Sequence, residues 1–371
     1  MFCGSGGVGK TSVAAAAALG AATRLGGKVL VLTIDPARRL ATALGLDGLG
    51  NVAHQVPADA LKAAGIEPRG ELWAAMLDTK QSWDDLVLRH AKDEETAYRI
   101  LENRLYHNLT ARFVQSHDYI AMERLYEIHA SGEYDLIIID TPPTRNAIDF
   151  LEAPKRMADF FSSRFLRILI APYRSRFVNM ASKPFYNVAD RILGSAFLQD
   201  IAEFFLAFQT MYAGFVDRAQ AVERLLRDRR TTFAVVTTLE AAPLHEAERF
   251  CAELRNRDFH LGALVLNKTL PDYFLDPAGD AAAGAFCDEA GALADAVAAV
   301  DGPALDDRAG TARVLRTVGE SFRNFAVVAK REAELRAELS KAPAVIVRIP
   351  NFEVDIGDVN GLAAIAAHLY V

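Results

Sequence analysis

The chain has 371 residues, 51% of them hydrophobic, and a formal net charge of −7, which suits one large α/β domain with insertions or two domains. The acidic balance argues against a general nucleic-acid surface, so no nucleic-acid partner is expected. Cys3, Cys251 and Cys287 are far apart and form no C-x-x-C pair, which excludes a disulfide framework and a zinc knot and fits a cytoplasmic protein.

In chain order, the first strand is short. Only Met1, Phe2 and Cys3 precede a glycine run, while sheet strands usually hold about 5–6 residues. Either the natural start lies upstream or Met1 is an internal or engineered start. Met1 leads straight into the glycine loop, so no cleavable signal is expected. That loop, Gly4-Ser5-Gly6-Gly7-Val8-Gly9-Lys10-Thr11, fits G-x-x-x-x-G-K-[ST] at every fixed position. Backbone N–H groups of such a loop surround phosphate oxygens, and the helix that starts there adds its positive end. Gly6, Gly7, Val8, Gly9, Lys10, Thr11 and Ser12 are therefore the expected phosphate cradle. Lys10 is placed to reach the β and γ phosphates and Thr11 to ligate Mg²⁺. A generic glycine-rich turn is the alternative, and it leaves the Lys-Thr pair unexplained. The following SVAAAAALGAA has helix formers with small faces.

KVLVLTID, from Lys28 to Asp35, is a continuous apolar run, as a strand buried on both faces requires. RRLATALGL after Pro36 has helical spacing. Residues from Asn51 to Ser131 read as mostly helical, a helical insertion (51–131) with a break near Gly65–Gly70. Tyr134 to Asp140 (YDLIIID) is the second buried strand, ended by two prolines. Glu152 to Arg230 reads as a helical, aromatic-rich subdomain (152–230). Its stretch from Ala196 carries Gln199, Asp200 and Glu203 and makes a poor membrane span. Thr231–Thr238 and Leu261–Lys268 read as strands around a helix at Leu244–Asn256. Ala278–Ser340 reads as two or more helices, Ala344–Ile349 as a last strand, and Val359–Tyr370 as a final helix. Strands alternating with helices predict an α/β, doubly wound, mostly parallel sheet of P-loop type with large helical insertions, one domain over 1–371.

Ligands of such sheets sit beyond the carboxyl ends of the strands. That rule selects the glycine loop, Asp35, Asp140, Asn267 and Pro350. Asp140 follows four apolar residues and would hold Mg²⁺ beside Thr11; its alternative is to cap the next turn. Asp35 would orient or deprotonate the attacking water; its alternative is an N-cap for Ala37–Leu44. Asp35 and Lys10 are the expected catalytic pair, since phosphoryl transfer needs positioning and charge more than covalent chemistry. Asn267-Lys268-Thr269-Leu270 has leucine where a guanine-reading N-K-x-D motif needs an acid, so ATP/ADP is expected over GTP. Asn267 is placed to contact the base, and Pro350 with Phe352 to wall it.

GSGGVGKT, LTIDPARRLATALGL, DLIIIDTPPTRNAIDFL and LVLNKTLP, with the closing VRIPNFEVDIGDV, resemble the ArsA/Get3-type ATPases of the MinD-like P-loop class, in a bacterial branch. The resemblance implies Mg²⁺-dependent ATP hydrolysis near the interface of a homodimer, or of a heterodimer with a paralogue. It implies a switch coupled to a hydrophobic protein client or a membrane protein, in a cytoplasmic protein peripheral to the membrane. By the same resemblance Asp35 positions the hydrolytic water, Thr11 and Asp140 serve magnesium, and Asn267 meets adenine. The chain departs from the family at Ser5, where a signature lysine is usual, and at Arg145-Asn146, where Gly-His is usual. Arg145 is a candidate substitute for the lysine. Clustered cysteines for arsenite or bridging zinc are absent. A metabolic or signalling regulator without a client groove, and a MinD/ParA-like positioning ATPase, are the alternatives.

Overall fold

The computed structural model describes residues 1–34, 39–112, 114–143, 151–153, 155–156, 159, 201, 204–208, 211–301, 307–339, 343, 345–353 and 356–370. Its centre is an eight-stranded sheet in the order β3-β4-β2-β5-β1-β6-β7-β8. The strands are β1 (Phe2–Cys3), β2 (Lys28–Thr33), β3 (His54–Gln55), β4 (Glu71–Met76), β5 (Leu136–Asp140), β6 (Phe233–Thr237), β7 (Leu261–Thr269) and β8 (Val345–Pro350). Every pairing is parallel except that of β3 with β4. The chain winds outward through β2 and β4 on one side of β1 and through β6, β7 and β8 on the other. The reversal falls at β1, so a crevice opens at the carboxyl ends of the central strands.

Both faces of the sheet are covered, which is why its strands read as unbroken apolar runs. Val29, Val31, Ile138, Val236 and Val265 face one core with α1 (Lys10–Arg24). Cys3, Ile139, Val235, Leu264 and Leu266 face the other with α7 (Val114–Ser131) and α9 (Ala241–Asn256). The two sets alternate along each strand with the period of two that the pleat dictates. Helix α1 is buried between the sheet and the last helix, α13 (Val359–Leu369). Its alanines allow that close approach. The Tyr370 hydroxyl donates to the Ala17 carbonyl at 2.6 Å and fixes the contact.

The reading of 51–131 as mostly helical is corrected at Glu71–Met76. Helices α3 (Ala58–Ala63), α4 (Thr79–His90), α5 (Glu94–Leu101), α6 (Arg104–Arg112) and α7 do fill most of this stretch. The segment ELWAAM, however, is a full strand paired with β2 from Lys28–Glu71 to Thr33–Met76. Two alanines and no β-branched residue give it little strand propensity of its own, and the six-residue register with β2 overrides that.

A second core lies among the helices. Trp83 on α4, Tyr119 on α7 and Phe215 on α8 (Tyr212–Arg227) pack with Phe204, Phe205 and Phe208. The Phe208 and Phe215 rings stack at 4.9 Å between centroids, and Tyr119 meets Phe215 at 5.5 Å. Beside them the Glu123 carboxylate, 1% exposed, accepts from the Tyr119 hydroxyl at 2.6 Å and pairs with Arg218, joining α7 to α8. Burial is the largest influence on Glu123 and pushes its pKa up, against the pull of Arg218. These aromatics of the 152–230 segment thus bury one another. The stretch before them, 160–200, in which Arg164, Arg167, Arg174 and Arg176 stand among further aromatics, lies outside the described residues. Helices α10 (Pro277–Asp288), α11 (Ala290–Asp301) and α12 (Arg308–Ala337) are the two or more helices expected from Ala278–Ser340, and α12 reaches the sheet core through Leu335. Among the described residues no helix is long and apolar enough to cross a membrane.

Candidate active site

The glycine loop joins β1 to α1 at the reversal point. Two of its glycines are required by close neighbours. A Cβ on Gly4 would lie 2.1 Å from the Val236 carbonyl oxygen, and one on Gly9 would lie 2.4 Å from Asn267 Nδ2. Gly9 also has φ 89°, a left-handed conformation that other residues adopt only under strain, and it caps α1. Lys10 opens the helix, is 8% exposed, and donates from Nζ to the Ser5 carbonyl at 2.9 Å. Val13 N donates to the Gly9 carbonyl, so the helix is already regular one turn in.

Thr11 and Asp140 meet as expected. The Thr11 hydroxyl donates to Asp140 Oδ2 at 2.6 Å. The same oxygen accepts from the Thr33 hydroxyl at 3.0 Å. Asp140 ends β5 with 1% exposure, directly opposite Thr33 in the register with β2. Thr33 was not anticipated; the signal for it was a lone hydroxyl closing the apolar run of Lys28–Thr33. Next to them Cys3 is buried, and burial pushes its thiol pKa up, so it stays protonated.

Asn267 is brought to the loop. Its Nδ2 donates to the Val8 carbonyl at 2.8 Å and its side chain is buried. Lys268, which sequence reading passed over, donates from Nζ to the Gly7 carbonyl at 3.3 Å. Pro350 pairs with Thr269 at the end of β8, and Asn351 N donates to the Thr269 carbonyl. Phe352 lies just beyond, half-buried against the core that contains α1 and edge-on to His368 at 6.0 Å. Arg348 forms a two-pronged pair with Asp272 and holds that carboxyl below the usual range. Gly6, Gly7, Val8 and Ser12 occupy the loop and the first turn of α1. Asp35 and Arg145 lie outside the described residues.

The donor set fits a divalent cation held with a polyphosphate. A hydroxyl and a buried carboxylate are hard oxygen donors, as Mg²⁺ prefers. No three His, Cys, Asp or Glu side chains among the described residues are grouped to hold a metal ion on their own. An ion at Thr11 and Asp140 would therefore draw its remaining ligands from water and phosphate oxygens, the usual arrangement for Mg²⁺.

Comparison with known proteins agrees with this geometry. The family profile described as "Anion-transporting ATPase" matches residues 1–283. A "Putative arsenical pump-driving ATPase 1" of Aquifex aeolicus is 25% identical over 288 residues, covering 73% of this chain and 63% of that protein. A second from the same organism, "Putative arsenical pump-driving ATPase 2", is 23% identical over 276 residues, covering 73% of this chain and 80% of its own length. The "ATPase get3" of Schizosaccharomyces pombe is 26% identical over 271 residues, covering 72% of each chain. The match thus spans less than two thirds of the first relative's length. These relatives do not favour the positioning-ATPase alternative. On the strength of a profile that matches more than half its length, and of a sheet built around the same loop, this chain belongs to the anion-transporting ATPase family.

Proposed function

We propose that this chain binds ATP with Mg²⁺ at the β1–α1 loop and hydrolyses it. The observation that carries the reading is the contact of Thr11 with the buried Asp140 carboxylate at the carboxyl end of β5, beside a complete phosphate loop. In this reading the loop amides of Gly6 to Ser12 and the Lys10 ammonium bind the phosphates. Thr11 and Asp140 hold the cation, whose charge offsets that of the phosphate oxygens when it is bound. Thr33 holds the Asp140 carboxylate in place. Asn267, Pro350 and Phe352 take the adenine.

Asp35 follows Ile34 at the carboxyl end of β2 in the sequence and is assigned to the attacking water. Asp35→Asn is expected to bind ATP within about threefold of the parent and to lose at least about 100-fold in turnover, the usual contribution of a general base. Calorimetry and phosphate release measure the two. Turnover at the parent rate removes Asp35 from the mechanism, and failure of the parent to bind ATP or ADP removes the whole reading.

We also propose that two copies, or this chain and a paralogue, close over the nucleotide. In light scattering, Asp35→Asn protein with ATP is expected at twice the mass of the chain. A monomer in every nucleotide state rejects the homodimer. The segment 152–230 is assigned to passing that closure to a hydrophobic protein client or a membrane protein. A fluorescent apolar helical peptide is expected to bind at least about threefold tighter with ATP than with ADP; equal affinity in both states argues for a switch without a client. The names of the relatives support the hydrolase part of this reading most directly.

A further inference from the structure

The carboxyl end of β7 is irregular where it meets the loop. β7 and β8 pair regularly from Ala263–Val345 to Leu266–Arg348, but the next pair is Thr269–Pro350. Three steps along β7 therefore match two along β8, and the extra residue falls at Asn267–Lys268. This is a β-bulge, which bends a strand and re-aims its side chains. Lys268 absorbs the bend with φ 57°. Among the described residues only Asp258, in the turn before β7, is another non-glycine residue with positive φ. Glycine would adopt this backbone at lower cost, so a lysine here points to a use for the side chain.

In a regular strand, consecutive side chains point to opposite faces. The bulge instead brings two consecutive side chains to one target. Asn267 Nδ2 donates to the Val8 carbonyl and Lys268 Nζ to the Gly7 carbonyl. With Lys10 on the Ser5 carbonyl, three of the loop's carbonyls accept from side chains. Carbonyls held in this way leave the loop amides to turn toward an anion. Asn267 is buried and neutral, whereas Lys268 is exposed and carries a charge. Lys268 thus brings something its neighbour cannot, a cation set beside the anion seat.

We propose that Lys268 is a positioning residue of the phosphate loop. Its ammonium pins the Gly7 carbonyl and adds positive charge beside the triphosphate, so it serves phosphate binding rather than base reading. The proposal rests on the nucleotide-binding reading above.

The test is calorimetric titration with Mg²⁺–ATP and with Mg²⁺–tripolyphosphate, which has no base. The parent is compared with Lys268→Met, Lys268→Gly and Lys268→Arg. Methionine keeps the stem and removes the charge; loss of one charged hydrogen bond is expected to weaken both ligands by about tenfold. Glycine is expected to weaken both equally, while its melting midpoint without ligand stays at or above the parent's, because its backbone suits the bulge. Arginine is expected to recover most of the loss, and the parent's advantage is expected to shrink at high salt. Lys268→Met binding tripolyphosphate within twofold of the parent overturns the proposal, and so does a loss confined to ATP, which would assign Lys268 to the base. A parent that binds neither ligand overturns the nucleotide reading and this proposal with it. A parent that binds both, with no effect of any variant, overturns this proposal alone.

Discussion

Lys10→Ala is expected to weaken ATP binding by about 100–1,000-fold without unfolding the protein. The range is that for removing one preorganised donor from a site shielded from water. Lys10 stands in the first turn of α1, is 8% exposed, and crosses the loop to the Ser5 carbonyl at 2.9 Å. A long cation folded back onto its own loop has a neutral acceptor, which phosphate oxygens replace with a charged one. The gain is large because the ammonium is already desolvated when the ligand arrives. In the alanine variant the Ser5 carbonyl loses the hydrogen bond from Lys10, and the melting midpoint without nucleotide is expected to stay within a few degrees. Calorimetry and a thermal melt measure the two effects. Affinity within threefold of the parent would show that the loop does not hold phosphate.

Asp140→Asn is expected to abolish the Mg²⁺ dependence of nucleotide binding and to cut turnover by at least about 100-fold. The carboxylate is 1% exposed, and its Oδ2 accepts from Thr11 at 2.6 Å and Thr33 at 3.0 Å. An amide of the same shape keeps an oxygen for those hydroxyls and loses the charge that a divalent ion requires. Removing a charge from a buried place also lifts a desolvation cost, so the ligand-free variant is expected to melt no earlier than the parent. ADP affinity measured with Mg²⁺ and with a chelator separates the roles. The parent is expected to bind more weakly in chelator, and the variant to bind equally in both. A variant that keeps the parent's Mg²⁺ response would place the cation elsewhere.

The parts of this site that were legible in the sequence are those where local chemistry forces the answer. A glycine loop ending in Lys10-Thr11 has few other uses, and the apolar run Leu136–Ile139 before Asp140 suits a strand of a covered sheet, although its first residue, Leu136, lies exposed. Strand β4 was not legible, because Ala74 and Ala75 owe their conformation to Val31 and Leu32 across the ladder. Thr33 and Lys268 were missed for a related reason. Their roles depend on a register between strands and on a bulge, and neither is written in the residues themselves. The aromatic wealth of 152–230 left a buried core and a binding groove both open. Phe204, Phe205, Phe208 and Phe215 went to the core.

The central strand β1 is two residues long, and its partners lie far along the chain. Phe2 pairs with Asp140 on one side and Ala234 on the other, while the loop after it leans on Val236 and Asn267. Strand pairing across such separations comes late, because the entropy of closing each long loop must be met before the contact can return anything. During synthesis the loop precedes its seat, which is incomplete until residue 267 has followed. The glycine loop therefore lacks that support until β7 has been made. On the proposed reading, nucleotide binding is thus open only to a chain assembled as far as β7.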